Sequence, residues 1–153
     1  MIEFMRIDDR YVHGQIATTW VRHIAPEALV LVDDDIAQND MRRGLMKMSA
    51  PKDIPLAIYT VEQAIKKLNG SLRDNELFVL VGNTKTALDI CLACRPVSLD
   101  LGNMGYKEGL ENLINRIWVS EEDKKNIGEI QRAGVRVFAQ MLPNNAQDPI
   151  PQL

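Results

Sequence analysis

The segment Arg6-Ile7-Asp8-Asp9-Arg10-Tyr11-Val12-His13-Gly14-Gln15 places two arginines, two aspartates and a histidine between an apparent strand and an apparent helix. Such a set can handle a phosphoryl group. A neutral imidazole is a nucleophile, and a carboxylate can accept its second ring N–H and fix the tautomer. Guanidinium groups suit the charge spread over the oxygens of a transferring phosphoryl group. His13 is the candidate acceptor. Arg10, three residues before it, and Arg6, at the strand end, are candidate phosphate ligands, with Gly14 and Gln15 beside them. Asp8 and Asp9 are the candidates to orient the ring. A helix opening after His13 would add unpaired backbone N–H donors that favour phosphate and disfavour imidazolium. Gly14 would let the backbone approach an anion closely. On residue types alone the loop also reads as an ordinary polar connection, with Asp8 and Asp9 as caps or ion-pair partners.

Apolar runs alternate with helix-period stretches along the whole chain, an α/β signature. Strands are expected at Ile2–Ile7, Ala28–Val32, Leu56–Tyr59, Leu77–Val81, Val97–Leu101, Arg116–Val119 and Val135–Met141. Ala28–Val32 and Leu77–Val81 are continuously apolar, which suits the middle of a parallel sheet. Helices are expected at Gln15–Ile24, from about Ile36 to Met48, from Thr60 to about Leu68, over Lys85–Cys94 and from Ser120 to Gly134. Thr60 followed by Gln63 is a capping-box pattern, and Ser120 precedes three acids in a first turn. The fold predicted is an open, mainly parallel twisted α/β sheet of about seven strands with helices on both faces, in which ligands bind at the carboxyl ends of strands. The Asp8–Gly14 loop lies at such an end. The stretch from Pro143 to Leu153, with three prolines, reads as loose or as a docking arm.

A chain of 153 residues, 46% hydrophobic and 25% charged, fits one globular domain over 1–153. A net charge of −3 argues against nucleic acid as a partner. No apolar run exceeds five residues, against the roughly 20 a membrane span requires. A cytoplasmic protein is the expectation. Cys91 and Cys94 form a C-x-x-C pair late in a helix, with no further cysteine and no histidine within sixty residues. They read as packing thiols rather than a redox or zinc pair. His23 has no partner pattern, and Trp20 falls on the inner face of its helix.

The loop resembles the active-site loop of the mannose/fructose/sorbose-type IIB components of the bacterial sugar phosphotransferase system. Arg6, Ile7, Asp8, Asp9, Arg10, His13, Gly14, Gln15 and Trp20 match the pattern. So do Leu45–Pro51, Gly102-Asn103-Met104 with Lys107-Glu108-Gly109, and Gly134-Val135. Val119–Asp123 matches with one residue of the usual spacing shifted, and Tyr11-Val12 replaces a more usual aliphatic pair. The resemblance implies a phosphohistidine–sugar phosphotransferase without cofactor or metal. His13 would take a phosphoryl group, on Nδ1, from a phosphohistidine of a IIA component. It would pass it to a sugar acceptor held by membrane IIC and IID components, with the IIB protein peripherally associated with them. The resemblance leaves room for a homo-oligomer and does not name the sugar. A regulatory or binding protein that kept this fold without transport is the alternative. A receiver-like domain fails for want of an Asp after Leu56–Tyr59 and a Lys after Val97–Leu101. A dinucleotide-binding module fails for want of a glycine-rich run.

Overall fold

A computed structural model describes residues 1–153. Its centre is a seven-stranded sheet in the order β3-β2-β4-β1-β5-β8-β9. The strands are β1 (Ile2–Asp8), β2 (Ala28–Val32), β3 (Leu56–Tyr59), β4 (Leu77–Val81), β5 (Ser98–Asn103), β8 (Arg136–Ala139) and β9 (Asp148–Pro149). All neighbours pair in parallel except β8 and β9. Every residue of β4, the central apolar run, is buried. Strands β6 (Glu111–Ile114) and β7 (Ile117–Val119) form a separate hairpin, so the predicted strand at Arg116–Val119 lies outside the main sheet. Its turn holds Asn115 at φ +48°, a conformation asparagine tolerates well.

The chain steps one way across the sheet after β1 and β2 and the other way after β3, β4 and β5. Right-handed crossovers then put the two sets of helices on opposite faces, and two separate cores result. Ile16, Trp20, Val21 and Ile36 pack with Phe4, Leu29, Leu31, Phe78 and Leu80 on one face. Ala64, Leu68, Ile90, Ile127 and Ile130 pack with Met5, Ile7, Val79 and Leu101 on the other.

Local chemistry explains most helix starts. Asp33 caps α2 (Asp34–Ala37), Thr60 closes a capping box on α4 (Val61–Asn69), Asn83 caps α5 (Thr84–Cys94), and Ser120 closes a second box on α6 (Glu121–Arg132). Two expected helices differ. The expected helix from Ile36 to Met48 is split, because Asn39 turns its side chain onto the Arg42 N–H and starts α3 (Asp40–Ser49) anew. The helix after His13 contains a π turn, Ile16–Trp20, before α1 (Val21–Ile24). The wider turn lets Ile16, Trp20 and Val21 all reach the core, where regular spacing called for Ile16, Trp20 and Ile24.

The C-terminal stretch is not loose. β9 pairs with β8, Ile150 is buried, and Gln131 of α6 binds the backbone of Ile150, Pro151 and Leu153. Gly128, inside α6, makes room: a Cβ there would lie 2.7 Å from the Leu153 carbonyl oxygen. Gly128→Leu is therefore expected to dislodge this stretch and cost about 1–3 kcal/mol by overpacking. Thermal melts and limited proteolysis of the C-terminal residues check it; full stability with a protected terminus would refute it.

No helix is long and apolar enough to cross a membrane. Cys91 is buried and Cys94 half-buried, both free. Burial pushes both thiols up, Cys91 to about 12, away from thiolate chemistry. The packing reading of the pair fits these surroundings.

Candidate functional site

The β1 strand lies between β4 and β5, whose following helices take the opposite face. The crevice outside its carboxyl end is thus a topological switch point, and the His13 loop begins there.

Asp8 organises the loop. It is fully buried at the strand end. Its Oδ1 accepts the Arg10 backbone N–H and Nε, each at 3.0 Å. Its Oδ2 accepts Arg10 Nη2 and His13 Nε2, also at 3.0 Å each. Since a carboxylate only accepts, Nε2 of His13 carries a proton, and in the neutral ring the lone pair is then on Nδ1. Burial alone would push the Asp8 carboxyl up; the bonds from His13 and Arg10 outweigh it and hold the carboxyl below its ordinary range. A lowered carboxyl stabilises the fold above its unfolded value and loses that contribution only as pH falls through the folded one. The network is therefore fully present at neutral pH. His13 keeps 21% of its side chain exposed and Arg10 38%.

Below this layer sits Arg6, which the sequence suggested as a phosphate ligand. It is fully buried and cannot meet a phosphate in this arrangement. Its Nη1 donates to Asp100 and, at 2.7 Å, to the Gln140 carbonyl; its Nη2 lies 3.7 Å from Asp8. The guanidinium stacks 4.8 Å from the centre of the Trp20 ring, whose Nε1 donates to the Met141 carbonyl. Gly102 lies against the guanidinium, and any Cβ there would overlap it. Burial drives the Asp100 carboxyl up to about 7; Arg6 and the Gln140 N–H, at 2.8 Å, pull against it. Asp100 escaped the sequence reading. Its signal was an aspartate between Leu99 and Leu101 in an apolar strand, a charge that needs a buried partner.

Asp9 does not meet His13. Its carboxylate takes Asn103 Nδ2 and the Gly105 N–H, each at 2.7 Å, and so ties the loop to the end of β5. Of the two orienting candidates, the ring touches Asp8. Gly14 is exposed, and a Cβ there would meet no protein atom within 4 Å. Its place is the start of the helix, whose first turn has no side-chain cap and leaves N–H groups beside His13. Gln15 is half-buried in that turn. Val12 is buried among the α1-side core residues. Tyr11 takes φ +61°, a conformation costing a bulky residue about 1–3 kcal/mol. Its hydroxyl donates to Asp33 at 2.7 Å. His23 is exposed and packs edge-on against Trp20.

The model of the sorbose subfamily IIB component of the phosphotransferase system matches residues 2–153. The chain belongs to that family. Its relatives include the N-acetylgalactosamine-specific phosphotransferase enzyme IIB component 1 of Escherichia coli, 28% identical over 95% of this chain and 94% of that protein. The fructose-specific EIIB component of Bacillus subtilis is 27% identical over 99% and 94%. The crystal structure of the Escherichia coli N-acetylgalactosamine-specific IIB component 1 superposes with a TM-score of 0.91 at 28% identity, covering 99% of this chain and all of that one. Sorbose-family IIB components are sugar phosphotransferase proteins, and this chain takes the same role and fold.

Proposed function

We propose that this IIB protein carries a phosphoryl group on Nδ1 of His13, taking it from phosphohistidine on a IIA component and giving it to a sugar at membrane IIC and IID components. The single observation that carries the reading is the Asp8–His13 Nε2 bond, which leaves Nδ1 as the free lone pair. That lone pair attacks phosphorus, a new N–P bond forms as the donor's N–P bond breaks, and Asp8 balances the charge that gathers on the ring. A sugar hydroxyl then attacks phosphorus and gives its proton to solvent, the His13 N–P bond breaks, and the ring leaves in its neutral Nε2–H form. His13 keeps 21% of its side chain at the surface. A nucleophile at a rim, rather than deep in a pocket, can meet another protein face to face. The place of action is then the cytoplasmic side of the membrane.

Arg10 uses Nε and Nη2 on Asp8, so Nη1 is the atom offered to an incoming phosphoryl oxygen. The uncapped first turn after His13 adds backbone donors. Arg10→Ala is expected to slow transfer about a hundredfold, as loss of one charge-stabilising donor does. Some stability should be lost as well, because the guanidinium bonds a buried carboxylate, but the effect on transfer should be much the larger, since Asp8 keeps the Arg10 backbone N–H and His13. Arg10→Lys should recover only part of the rate, lacking the planar fork. Equal rates for Arg10→Ala and wild type would remove Arg10 from the site.

Incubation with a phosphorylated IIA donor, followed by peptide mapping, tests the proposal. One acid-labile, base-stable phosphoryl group on His13 is expected. A label on any other residue would refute it.

A further inference from the structure

We infer that Tyr11 is a positioning residue for His13, with Asp33 and Gly82 as the seat that holds it. The inference rests on the reading of His13 as the phosphoryl acceptor. Three separate observations meet at this one side chain. The first is its backbone. With φ at +61°, Tyr11 turns the chain so that Val12 enters the core and His13 returns onto Asp8; its N–H donates to the Asp8 carbonyl at 3.0 Å. A strained residue persists only where its surroundings hold it.

The second observation is what holds it. The hydroxyl donates to Asp33 Oδ2, while Asp33 Oδ1 accepts the Ile36 N–H at 2.8 Å and caps α2. The acceptor is therefore itself fixed at the end of β2. Burial and the neighbouring Asp33 carboxylate push the phenol above its ordinary range, so it remains a donor throughout the working pH range. The third observation is the space beneath the ring. Gly82, directly after β4, has no side chain, and any Cβ there would overlap the Tyr11 ring.

The consequence is a loop tied on both sides of its apex. Asp9 binds it to the end of β5, and Tyr11 binds it to the ends of β2 and β4. His13 reaches Asp8 from between these ties. The Tyr11 hydroxyl is spent on Asp33, while the His13 ring bonds Asp8, so the effect of Tyr11 passes through the loop. The aliphatic residue that the family resemblance leads one to expect here has no hydroxyl to give.

The test uses Tyr11→Phe, which keeps the ring and removes the hydroxyl, and Gly82→Ala, which unseats the ring. Each is studied well below its melting temperature. Two quantities are read: the ¹⁵N spectrum of His13 in the unphosphorylated protein, and the kinetics of phosphorylation by a phosphorylated IIA donor. Wild type should show a single tautomer, protonated on Nε2. In Tyr11→Phe the spectrum should move toward a mixture of tautomers, and kcat should fall about tenfold while KM for the donor stays within about twofold, as expected of a misplaced nucleophile. Gly82→Ala should do the same, and adding Tyr11→Phe to it should cost nothing further, since both break one seat. An unchanged His13 spectrum in Tyr11→Phe would overturn the inference whether or not transfer slows, and so would additive losses in the double variant. A wild type that takes no label from the donor, with a spectrum that still shifts in Tyr11→Phe, would overturn the phosphoacceptor reading and leave the positioning role standing.

Discussion

His13→Gln accepts no phosphoryl group from a IIA donor, while His23→Gln is labelled as wild type: this is the largest functional effect expected of any single substitution in the chain. Glutamine can still offer a hydrogen bond to Asp8, but it has no ring nitrogen to form the N–P bond. His23 sits exposed against the edge of Trp20, with no carboxylate to order its ring. Both variants should melt close to wild type, because a side chain at the rim contributes little to either core. Autoradiography of the labelled proteins beside thermal melts settles the matter. Undiminished labelling of His13→Gln would show that another group is the nucleophile.

The largest effect on stability is expected of Arg6→Met. Arg6 and Asp100 are both fully buried, and removing one partner of a buried pair leaves the other uncompensated, at about 3–5 kcal/mol. The pH dependence separates this cause from simple loss of packing. Asp100 is already pushed up to about 7 with Arg6 present. Without Arg6 its carboxyl moves further up. A carboxyl raised in the folded state is protonated there while the unfolded chain has released its proton, so stability falls as pH rises through the folded value. The deficit of Arg6→Met against wild type should therefore be larger at pH 8 than at pH 5.5. Chemical denaturation at the two values checks it, and a deficit independent of pH would assign the loss to the cavity. Arg6→Met/Asp100→Leu should recover much of the stability, since well-packed apolar groups replace buried pairs at little cost.

These expectations also show what could be read before the fold was seen. Alternating apolar runs and helical stretches were enough for an open parallel sheet, because continuous burial of strands such as Leu77–Val81 is written in composition. Caps at Thr60 and Ser120 act over three residues and are equally local. The π turn is not, since it answers the shape of the core that Trp20 must enter. In the loop, residue types pointed to the chemistry but not to the division of labour. Arg6 and Arg10 look alike in sequence; one lies in the alternation of a central strand and is buried, the other follows it and is half-exposed. Asp8 is the last residue of β1 and Asp9 opens the turn after it; one meets His13 and the other the end of β5. Which of the two faces the histidine depends on Asn103 and Gly105, almost a hundred residues away.

The antiparallel strand β9 has a bearing on the behaviour of the protein in a crowded solution. A sheet with free strands at both ends can add a foreign strand on either side, and two-sided molecules can chain into aggregates. Here one margin is closed by two residues of β9, backed by Ile150 and the contacts of Leu153 with α6, and proline at position 149 offers no N–H to a newcomer. Within the main sheet only the short β3 is left as an open margin, four residues long. Two such sheets paired along that margin have none left to extend.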